Sequence, residues 1–386
     1  MHDAGSSWEL PEDLRLLRET VRAFMAEKVR PAEQGIDPDA VALPPERLAP
    51  LQQEARRLGL WCVESPAEYG GAGLNLLGQA IVAEDASKCR MGLYFPACDA
   101  FGVDPPNIIF AGTSEQIERY GVPGIDSAKR AFVAISEASG GSDPARAIRT
   151  RAVRRGDRYV VNGAKMWVSG AAQADWGVLF ARTGEAGRSG ITAFIVDKAA
   201  PGMTMKPIAV IRSYSPCEVV FNDAEIPVEN RLGEEGEGFA LAGQWLVHSR
   251  VPYAAGCIGV AQQALDMAAA YAKEREVFRS KLAEKQAIQW MLADSEVELR
   301  AARLLTWQAA WHGDLGRDIK IEASVAKLAA TETAGRVVDR CIQIFGGLGV
   351  AKELPLERWY RELRIKRIGE GPSEVHRMLI ARELLR

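Results

Sequence analysis

The sequence lacks several features that mark specialised classes of protein. Its six cysteines include no Cys-x-x-Cys pair, and its four histidines are scattered without metal-ligand spacing, so we expect no metal site. No apolar run approaches the ~20 residues needed to span a bilayer. The first residues are polar and acidic and contain no apolar core of a secretory signal. These absences predict a cytoplasmic protein whose cysteines stay as thiols.

The charge is also nearly balanced, with 48 lysines and arginines against 51 aspartates and glutamates. Such a balance gives no reason to expect binding to nucleic acid or to an anionic membrane. The chain has 386 residues, of which 47% are apolar. This length exceeds what one hydrophobic core usually serves, so we expect two or three packed units.

The pattern of apolar residues changes twice along the chain. Residues 1–128 show helical periodicity, residues 129–236 contain short β-like runs separated by turns, and residues 237–386 are helical again. The pattern predicts an α+β protein with an N-terminal helical domain, a middle antiparallel β domain and a C-terminal helical bundle. Pro252 is expected to interrupt and kink the first helix of the bundle. A core-facing stripe is expected in the next helix, at Val297, Ala301, Leu304 and Leu305.

Two segments carry the clearest chemical signals. The apolar run 131–135 predicts a strand that leads into the small, polar loop 136–143, where backbone N–H groups can approach a ligand closely. Residues 159–170 predict a hairpin with a turn at Asn162-Gly163 and a strand that carries Trp167. An aromatic ring followed two residues later by the hydroxyl of Ser169 suits a flat ligand with a polar edge. Each segment alone is more often just a turn.

Together, these segments resemble the flavin-binding signatures of the acyl-CoA dehydrogenase family. The family typically reads Thr-Glu-Pro-x-Ala-Gly-Ser-Asp and Asn-Gly-x-Lys-x-Trp-Ile-Thr/Ser, which this chain matches at 136–143 and 162–169, with Ala138 in place of Pro. Further family-like stretches occur at 66–73, 112–116 and 221–227. The resemblance implies the helical, β and four-helix-bundle domain order and FAD as the cofactor. It implies flavin contacts from five residues of these segments: Ser136, Gly141, Ser142, Trp167 and Ser169.

Near the C-terminus, Glu370 lies between two glycines and before Pro372, which is expected at the first position of a helix. Alone, this is most simply a solvated glutamate in a glycine-rich turn. In the family, however, the most common type carries its catalytic base at this position. The resemblance implies that Glu370 removes the α-proton of a thioester, and that its backbone N–H helps to polarise the thioester carbonyl. It also implies substrate contacts at Ser142, Arg250 and Gly371. The chain has Pro372 and Glu374 where the family often has Thr and Gln.

A third group of residues resembles family segments that reach the FAD of a neighbouring subunit. The stretch 274–286 resembles Arg-x-x-Phe-Gly-x-x-x-x-x-x-Gln, with Arg279 in place of the glycine, and 343–347 resembles the segment over the neighbour's adenosine diphosphate. Without this resemblance, Arg275 would be interpreted as a surface helix charge, and Gly346-Gly347 as a helix C-cap. The resemblance implies a homotetramer or homodimer and six further cofactor contacts: Arg275, Phe278, Gln286, Gln343, Gly346 and Gly347.

The function that follows is FAD-dependent α,β-dehydrogenation of an acyl-CoA in fatty acid metabolism, with an electron-transfer flavoprotein as the electron acceptor. A flavin oxidase, a monooxygenase or a dehydrogenase of carrier-protein thioesters on the same fold stays open. A non-catalytic helical interaction protein is the alternative from another class. Ser142, Trp167, Arg275 and Glu370 together argue against it, because packing alone requires none of these residue types.

Overall fold

The computed structural model describes residues 10–127, 129–185 and 187–386. Its contacts divide the chain into two compact units. The helical unit contains residues 10–55, 74–100 and 250–367, and the sheet unit contains residues 56–73, 101–249 and 368–386. Within the described ranges, no helix is both long enough and apolar enough to cross a membrane.

Twelve α-helical segments are found in the described part of the chain. They are α1 Glu12–Phe24, α2 Arg30–Ala32, α3 Pro45–Arg57, α4 Leu76–Ala86, α5 Ser114–Gln116, α6 Val122–Ser127, α7 Pro144–Ala147, α8 Gly238–Glu274, α9 Gln286–Asp314, α10 Lys320–Phe345, α11 Leu356–Lys366 and α12 Ser373–Leu384. Two π-helical turns, Met25–Val29 and Ile117–Gly121, continue α1 and α5.

In the helical unit, α1 packs on α4, α4 on α9, and α10 on both α9 and α11. Of these helices, α9, α10 and α11 belong to the predicted C-terminal bundle, whereas α1 and α4 come from the predicted N-terminal helical domain. A buried charge network adds to the packing, since Glu84 accepts hydrogen bonds from Arg18 at 3.2 Å and from Arg303 at 2.9 Å. Such a network holds helices in one register, because a buried carboxylate without its cations would be costly.

Two sequence predictions about the long helices are wrong. Pro252 does not interrupt α8, which is continuous from Gly238 to Glu274. The loss of one backbone hydrogen bond is tolerated there because the following residues are buried in apolar packing. The expected core-facing stripe of α9 instead points outward, since Val297 and Leu304 are 69% and 52% exposed. The buried face of α9 carries smaller residues, among them Ser295, Leu299, Ala302, Thr306, Ala309 and Ala310.

The sheet unit is built on one eight-stranded sheet, and a two-stranded hairpin lies elsewhere in the chain. The strands are β1 Ala131–Ala134, β2 Arg151–Arg155, β3 Arg158–Val168, β4 Trp176–Arg182, β5 Ile191–Asp197, β6 Met203–Pro207, β7 Cys217–Pro227, β8 Arg231–Leu232, β9 Glu276–Val277 and β10 Ser280–Lys281. The large sheet has the order β6-β7-β3-β2-β4-β5-β8, and β1 also pairs with β4. Most pairs are antiparallel, as predicted, but β1 and β2 each run parallel to β4, so the sheet is mixed.

The central strands are buried on both faces. Along β4, Leu179 and Ala181 join one apolar cluster, and Trp176, Val178 and Phe180 join another. Because successive side chains of a strand point to opposite faces, each strand contributes to two cores. A sheet packed on both sides is a rigid support for the loops at its strand ends.

The expected hairpin turn at Asn162-Gly163 is wrong. These residues lie inside the continuous strand β3, where the pairing with β7 shifts register between Val161 and Gly163. A Cβ at Gly163 would lie 2.5 Å from the Thr150 hydroxyl, so glycine is required there by close packing and by a φ of 147°. The chain turns earlier, at Gly156, between β2 and β3.

Candidate active site

A buried ion pair joins the two segments that the sequence singles out. Lys165 on β3 places its Nζ 2.8 Å from Glu137 Oε1 in the loop after β1, and both side chains are almost fully buried. The same ammonium donates to the carbonyl of Ile135 at 3.0 Å. The loop and the strand are therefore held as one piece, by residues within both motifs to which sequence reasoning gave no role. The signal that could have revealed this pair is an isolated lysine, Lys165, among the apolar residues of a strand.

Glu137 is also held by the start of β2. Its carboxylate accepts hydrogen bonds from the backbone N–H groups of Arg149 and Thr150, at 2.8 and 3.0 Å, and from the Thr150 hydroxyl at 2.7 Å. Burial alone would raise the pKa of Glu137, but the Lys165 charge and these hydrogen bonds outweigh it and lower the pKa. Burial lowers the pKa of Lys165 to about 8, against the opposing effect of Glu137. The pair is therefore mostly charged at neutral pH.

The predicted flavin-facing residues lie next to this ion pair. The Met166 N–H donates to the Ser136 carbonyl at 2.9 Å, which places Ser136 beside the end of β3. Trp167 follows with a left-handed backbone, φ 63°, and 55% of its surface exposed. Ser169 accepts a hydrogen bond from Arg212 at 3.0 Å. Arg212 is buried and was missed by sequence reasoning, because it lies far along the chain in no motif that we quoted.

The loop 140–143 combines one tightly packed and one open glycine. A Cβ at Gly140 would lie 1.9 Å from the Ala147 Cβ, whereas nothing lies within 4 Å of the same position on Gly141. Ser142 has a left-handed backbone, φ 66°, and the short helix α7 begins just after Asp143. Gly141 and Ser142 are both exposed, so this loop is accessible from solvent.

Glu370 lies in the loop between α11 and α12. Its backbone is left-handed, φ 55°, and Gly371 follows with φ 96°. Its Oε2 accepts a hydrogen bond of 3.0 Å from the hydroxyl of Ser249 on α8. The helix α12 begins at Ser373 with Pro372 as its N-cap, one residue later than predicted.

Two carboxyl groups with raised pKa values, those of Asp104 and Glu64, lie in the same unit as Glu370. Asp104 Oδ1 accepts hydrogen bonds from the Glu64 N–H at 3.2 Å and from the Ser65 N–H and hydroxyl at 2.8 and 2.6 Å. Burial raises the pKa of Asp104 to about 6. Glu64 is exposed in part, but desolvation by the surrounding protein, followed by the charges of Asp104 and Glu370, raises its pKa to about 8. Glu64 is therefore close enough to Glu370 for its carboxyl to respond to the Glu370 charge, a relation that no motif revealed.

The remaining predicted residues lie in the helical unit. Arg250 is buried near the middle of α8. The other six are exposed: Arg275, Phe278, Gln286, Gln343, Gly346 and Gly347. Gly346 ends α10 with φ 62°, so the C-cap reading of this glycine holds as well.

The hairpin β9–β10 has an unusual turn. Its two central residues, Phe278 and Arg279, are both left-handed, with φ 49° and 63°, and Phe278 is 95% exposed. Left-handed backbone at both central positions defines a type I′ turn, in which glycine is favoured. This explains the family's glycine at position 279, and it shows that Arg279 is accommodated at a cost in backbone strain.

These features define a class, the flavin-dependent dehydrogenases. They are the order of helical, sheet and helical stretches, the two motifs joined by the ion pair, and the glutamate in its glycine loop. Three family models match in the same order: the N-terminal domain of acyl-CoA dehydrogenase at residues 11–126, its middle domain at 132–224 and its C-terminal domain at 236–385. The chain belongs to the acyl-CoA dehydrogenase family, whose members are FAD-dependent oxidoreductases.

Individual relatives are similar over most or all of their length. The mitochondrial short-chain specific acyl-CoA dehydrogenase of Rattus norvegicus is 38% identical, with coverage of 100% of this chain and 93% of the relative. The short-chain specific enzyme of Clostridium acetobutylicum is 35% identical over 98% of this chain and 100% of its own. The structure of butyryl-CoA dehydrogenase from Megasphaera elsdenii matches with a TM-score of 0.86 at 30% identity, covering 98% of this chain and all of that one.

Proposed function

We propose that this protein desaturates an acyl-CoA thioester between Cα and Cβ, with Glu370 as the base that removes the α-proton. The observation that carries the proposal is the backbone of three predicted site residues in the sheet unit. Ser142, Trp167 and Glu370 are not glycines, yet all three have left-handed φ angles, between 55° and 66°. Each such conformation costs about 1–3 kcal/mol and is concentrated at functional sites.

The residues of the sheet unit fit an FAD ring system. Trp167 presents an exposed aromatic surface, Ser136 and Ser169 lie at the same end of β3, and Gly141 leaves backbone uncovered. When bound, FAD accepts the hydride that leaves Cβ. The exposed residues Arg275, Phe278, Gln286, Gln343, Gly346 and Gly347 are proposed to hold the FAD of a neighbouring subunit, with the guanidinium of Arg275 pairing with a phosphate.

The base must act on a carbon acid that is far weaker than a carboxylic acid. Glu370 is proposed to take the α-proton on its carboxylate while its own backbone N–H donates to the thioester carbonyl, where negative charge develops. Ser142, Gly371 and Arg250 are proposed to contact the substrate. The matched relatives are named for short acyl chains, so short acyl-CoA thioesters are the first substrates that we propose.

A homo-oligomer, as a dimer or tetramer, is proposed from the exposed apolar face of α9. Trp290, Val297, Leu304 and Trp311 recur at intervals of seven residues, and each is more than half exposed. They form a stripe about 31 Å long, at 1.5 Å per residue. A stripe this apolar marks an interaction surface, and a second copy of α9 presents a matching face.

The electron acceptor and the compartment are also proposals. Since the family transfers electrons out of the enzyme, an electron-transfer flavoprotein is proposed as the acceptor. All six cysteines are buried thiols, which supports a reducing compartment such as the cytoplasm. Domain boundaries at 128/129 and 236/237 stay a prediction, near the limits of the three family-model matches.

The test is an anaerobic titration of the FAD-loaded protein with a panel of acyl-CoA thioesters, followed by visible absorption. We expect one class of thioester to bleach the flavin spectrum, and Glu370→Gln to bind FAD and thioester without bleaching. Bleaching of Glu370→Gln at the wild-type rate would place the base elsewhere. A protein that takes up no FAD, or a flavin that no thioester bleaches, would overturn the proposed reaction.

A further inference from the structure

One hydrogen bond connects Glu370 to a helix that no motif links to it. The Ser249 hydroxyl on α8 lies 3.0 Å from Glu370 Oε2, across a separation of 121 residues in sequence. Both residues belong to the sheet unit. The contact therefore fixes a side chain on a loop to a residue on a long helix, which is a more rigid element.

The loop of Glu370 needs such an anchor. It combines a left-handed glutamate with the left-handed Gly371, and glycine gives a chain more conformational freedom than any other residue. A glutamate side chain also loses up to about 2 kcal/mol of rotamer freedom when it is fixed. The Ser249 hydroxyl fixes one oxygen of the carboxylate and so reduces the orientations that the side chain can sample.

The hydroxyl of Ser249 could also donate to a backbone carbonyl of its own helix instead of to Glu370. Ser249 Oγ also lies 3.4 Å from the Leu246 carbonyl on its own helix, which is the ordinary acceptor of a helical serine. The contact with Glu370 is shorter, and a hydrogen bond to a carboxylate is roughly twice as strong as one to a neutral acceptor. The single hydroxyl proton is therefore directed to Glu370.

The Ser249 hydroxyl is a neutral donor to Glu370. The negative charge of Glu370 acts on Glu64, whose backbone N–H is bound by Asp104. A serine hydroxyl orients one carboxylate oxygen and leaves the charge needed for proton abstraction.

We propose that Ser249 is the positioning residue of the base: it holds Oε2 of Glu370 so that the carboxylate is aimed at the α-carbon of the substrate. The proposal rests on the proposed function of Glu370. Ser249 itself transfers no proton. Its removal should therefore slow the chemical step and leave substrate binding almost unchanged, because a misplacement of about 1 Å in a reacting group can cost about 100-fold in rate.

The experiment compares FAD-loaded wild type with Ser249→Ala, Ser249→Thr and a matched control, Ser324→Ala. Ser324 is a buried serine of α10 whose hydroxyl donates within its helix, to Lys320 O at 2.8 Å. The measurements are kcat and KM with the thioester that bleaches the flavin, and the rate of α-proton exchange with D2O for a thioester that cannot be desaturated.

We expect Ser249→Ala to lower kcat and the exchange rate about 10- to 100-fold, with KM within about twofold. Ser249→Thr keeps the hydroxyl and should restore both rates to within about threefold, and Ser324→Ala should match wild type. If Ser249→Ala does not fold, Ser249→Cys keeps the volume with a weak donor and is judged by the same limits.

A kcat within twofold of wild type in Ser249→Ala would overturn the positioning role. Equal losses in Ser249→Ala and Ser249→Thr would overturn it as well, since the hydroxyl would then be irrelevant. Full activity in Glu370→Gln would instead remove the base assignment itself. The Ser249 variants therefore test the positioning role, and Glu370→Gln separately tests the proposed base.

Discussion

The ammonium of Lys165 and the carboxylate of Glu137 are 2.8 Å apart inside the sheet unit, where both side chains are almost fully buried. Each residue belongs to a different one of the two motifs that point to the flavin. Their pairing fixes the loop that holds Gly141 and Ser142 to the strand that holds Trp167. The two motifs therefore act as one structural piece, and several expectations follow from how that piece is held.

Replacing Lys165 by Met should leave Glu137 as a buried, uncompensated carboxylate. Breaking a buried pair from one side typically costs about 3–5 kcal/mol. We expect a lower midpoint in urea unfolding and a lower FAD content for Lys165→Met. The control is Arg300→Met, which breaks the exposed pair of Arg300 and Glu296 and should change stability by less than about 1 kcal/mol. Similar losses in both variants would show that burial of the pair is unimportant.

The same pair predicts how stability depends on pH. The pKa of Glu137 is lower in the folded protein than its ordinary value of 4.5, so the unfolded state binds more protons as the solution becomes acidic. Its contribution is present above pH 4.5 and is lost as pH falls through the folded pKa. We expect Glu137→Gln to be less stable than wild type at pH 7 and to lose less stability on acidification to pH 4. Parallel unfolding curves for the two proteins across this range would contradict the expectation.

Trp167 is expected to matter more for FAD than for folding. Because it is 55% exposed, Trp167→Ala should change the melting temperature of the FAD-free protein little. The loss of an aromatic contact worth about 0.5–1.5 kcal/mol should weaken FAD binding about 2- to 10-fold in a fluorescence titration. Val153→Ala is the control, since Val153 is 54% exposed on β2 of the same sheet. Equal FAD affinity in Trp167→Ala and wild type would remove Trp167 from the cofactor contacts.

Arg279 offers a test of backbone strain. Glycine adopts a φ of 63° without the steric cost that other residues carry, so Arg279→Gly should stabilise the hairpin β9–β10 by about 1 kcal/mol. Arg279→Ala removes the same charge but keeps the Cβ, and should bring no such gain. The readout is the urea midpoint. If Arg279→Ala and Arg279→Gly stabilise the protein equally, removal of the arginine charge explains the gain and relief of backbone strain does not.

The exposed stripe of α9 predicts the behaviour of the chain in solution. Leu304→Lys places a charge in the middle of the stripe and should shift the sedimentation coefficient to that of a smaller species. Gln289→Lys adds the same charge to an exposed residue of the same helix outside the stripe, and should leave the assembly unchanged. A Leu304→Lys protein that sediments like wild type would show that this face is not the interface.

The sequence predicted the elements that depend on local pattern and missed those that depend on contacts between distant residues. The helical, β and helical order, the loop after β1 and the glycine loop of Glu370 all follow from short stretches of sequence. Asn162-Gly163 was misread because a turn and a bulge use the same residues, and only pairing with β7 decides between them. The stripe of α9 was misread because periodicity shows that a helix has an apolar face without showing what that face contacts.

The candidate site shows the same division. Glu370 could be found through its resemblance to a motif, whereas Ser249 is a lone serine on a helix and becomes visible only through its contact with the carboxylate. Arg212 likewise contacts Ser169 from 43 residues away. No local signal distinguishes such residues from ordinary polar side chains, because their role is set by tertiary structure.

The distance along the chain between Ser249 and Glu370 has a consequence for biosynthesis. A ribosome that adds about 5–20 residues per second needs roughly 6 to 24 seconds to extend the chain by the 121 residues that separate them. Throughout that time, the residues of the large sheet have already been made, while the proposed base has not. The sheet-unit part of the proposed cofactor site is thus synthesised well before the proposed base, and the proposed reaction becomes possible only once synthesis has passed Glu370.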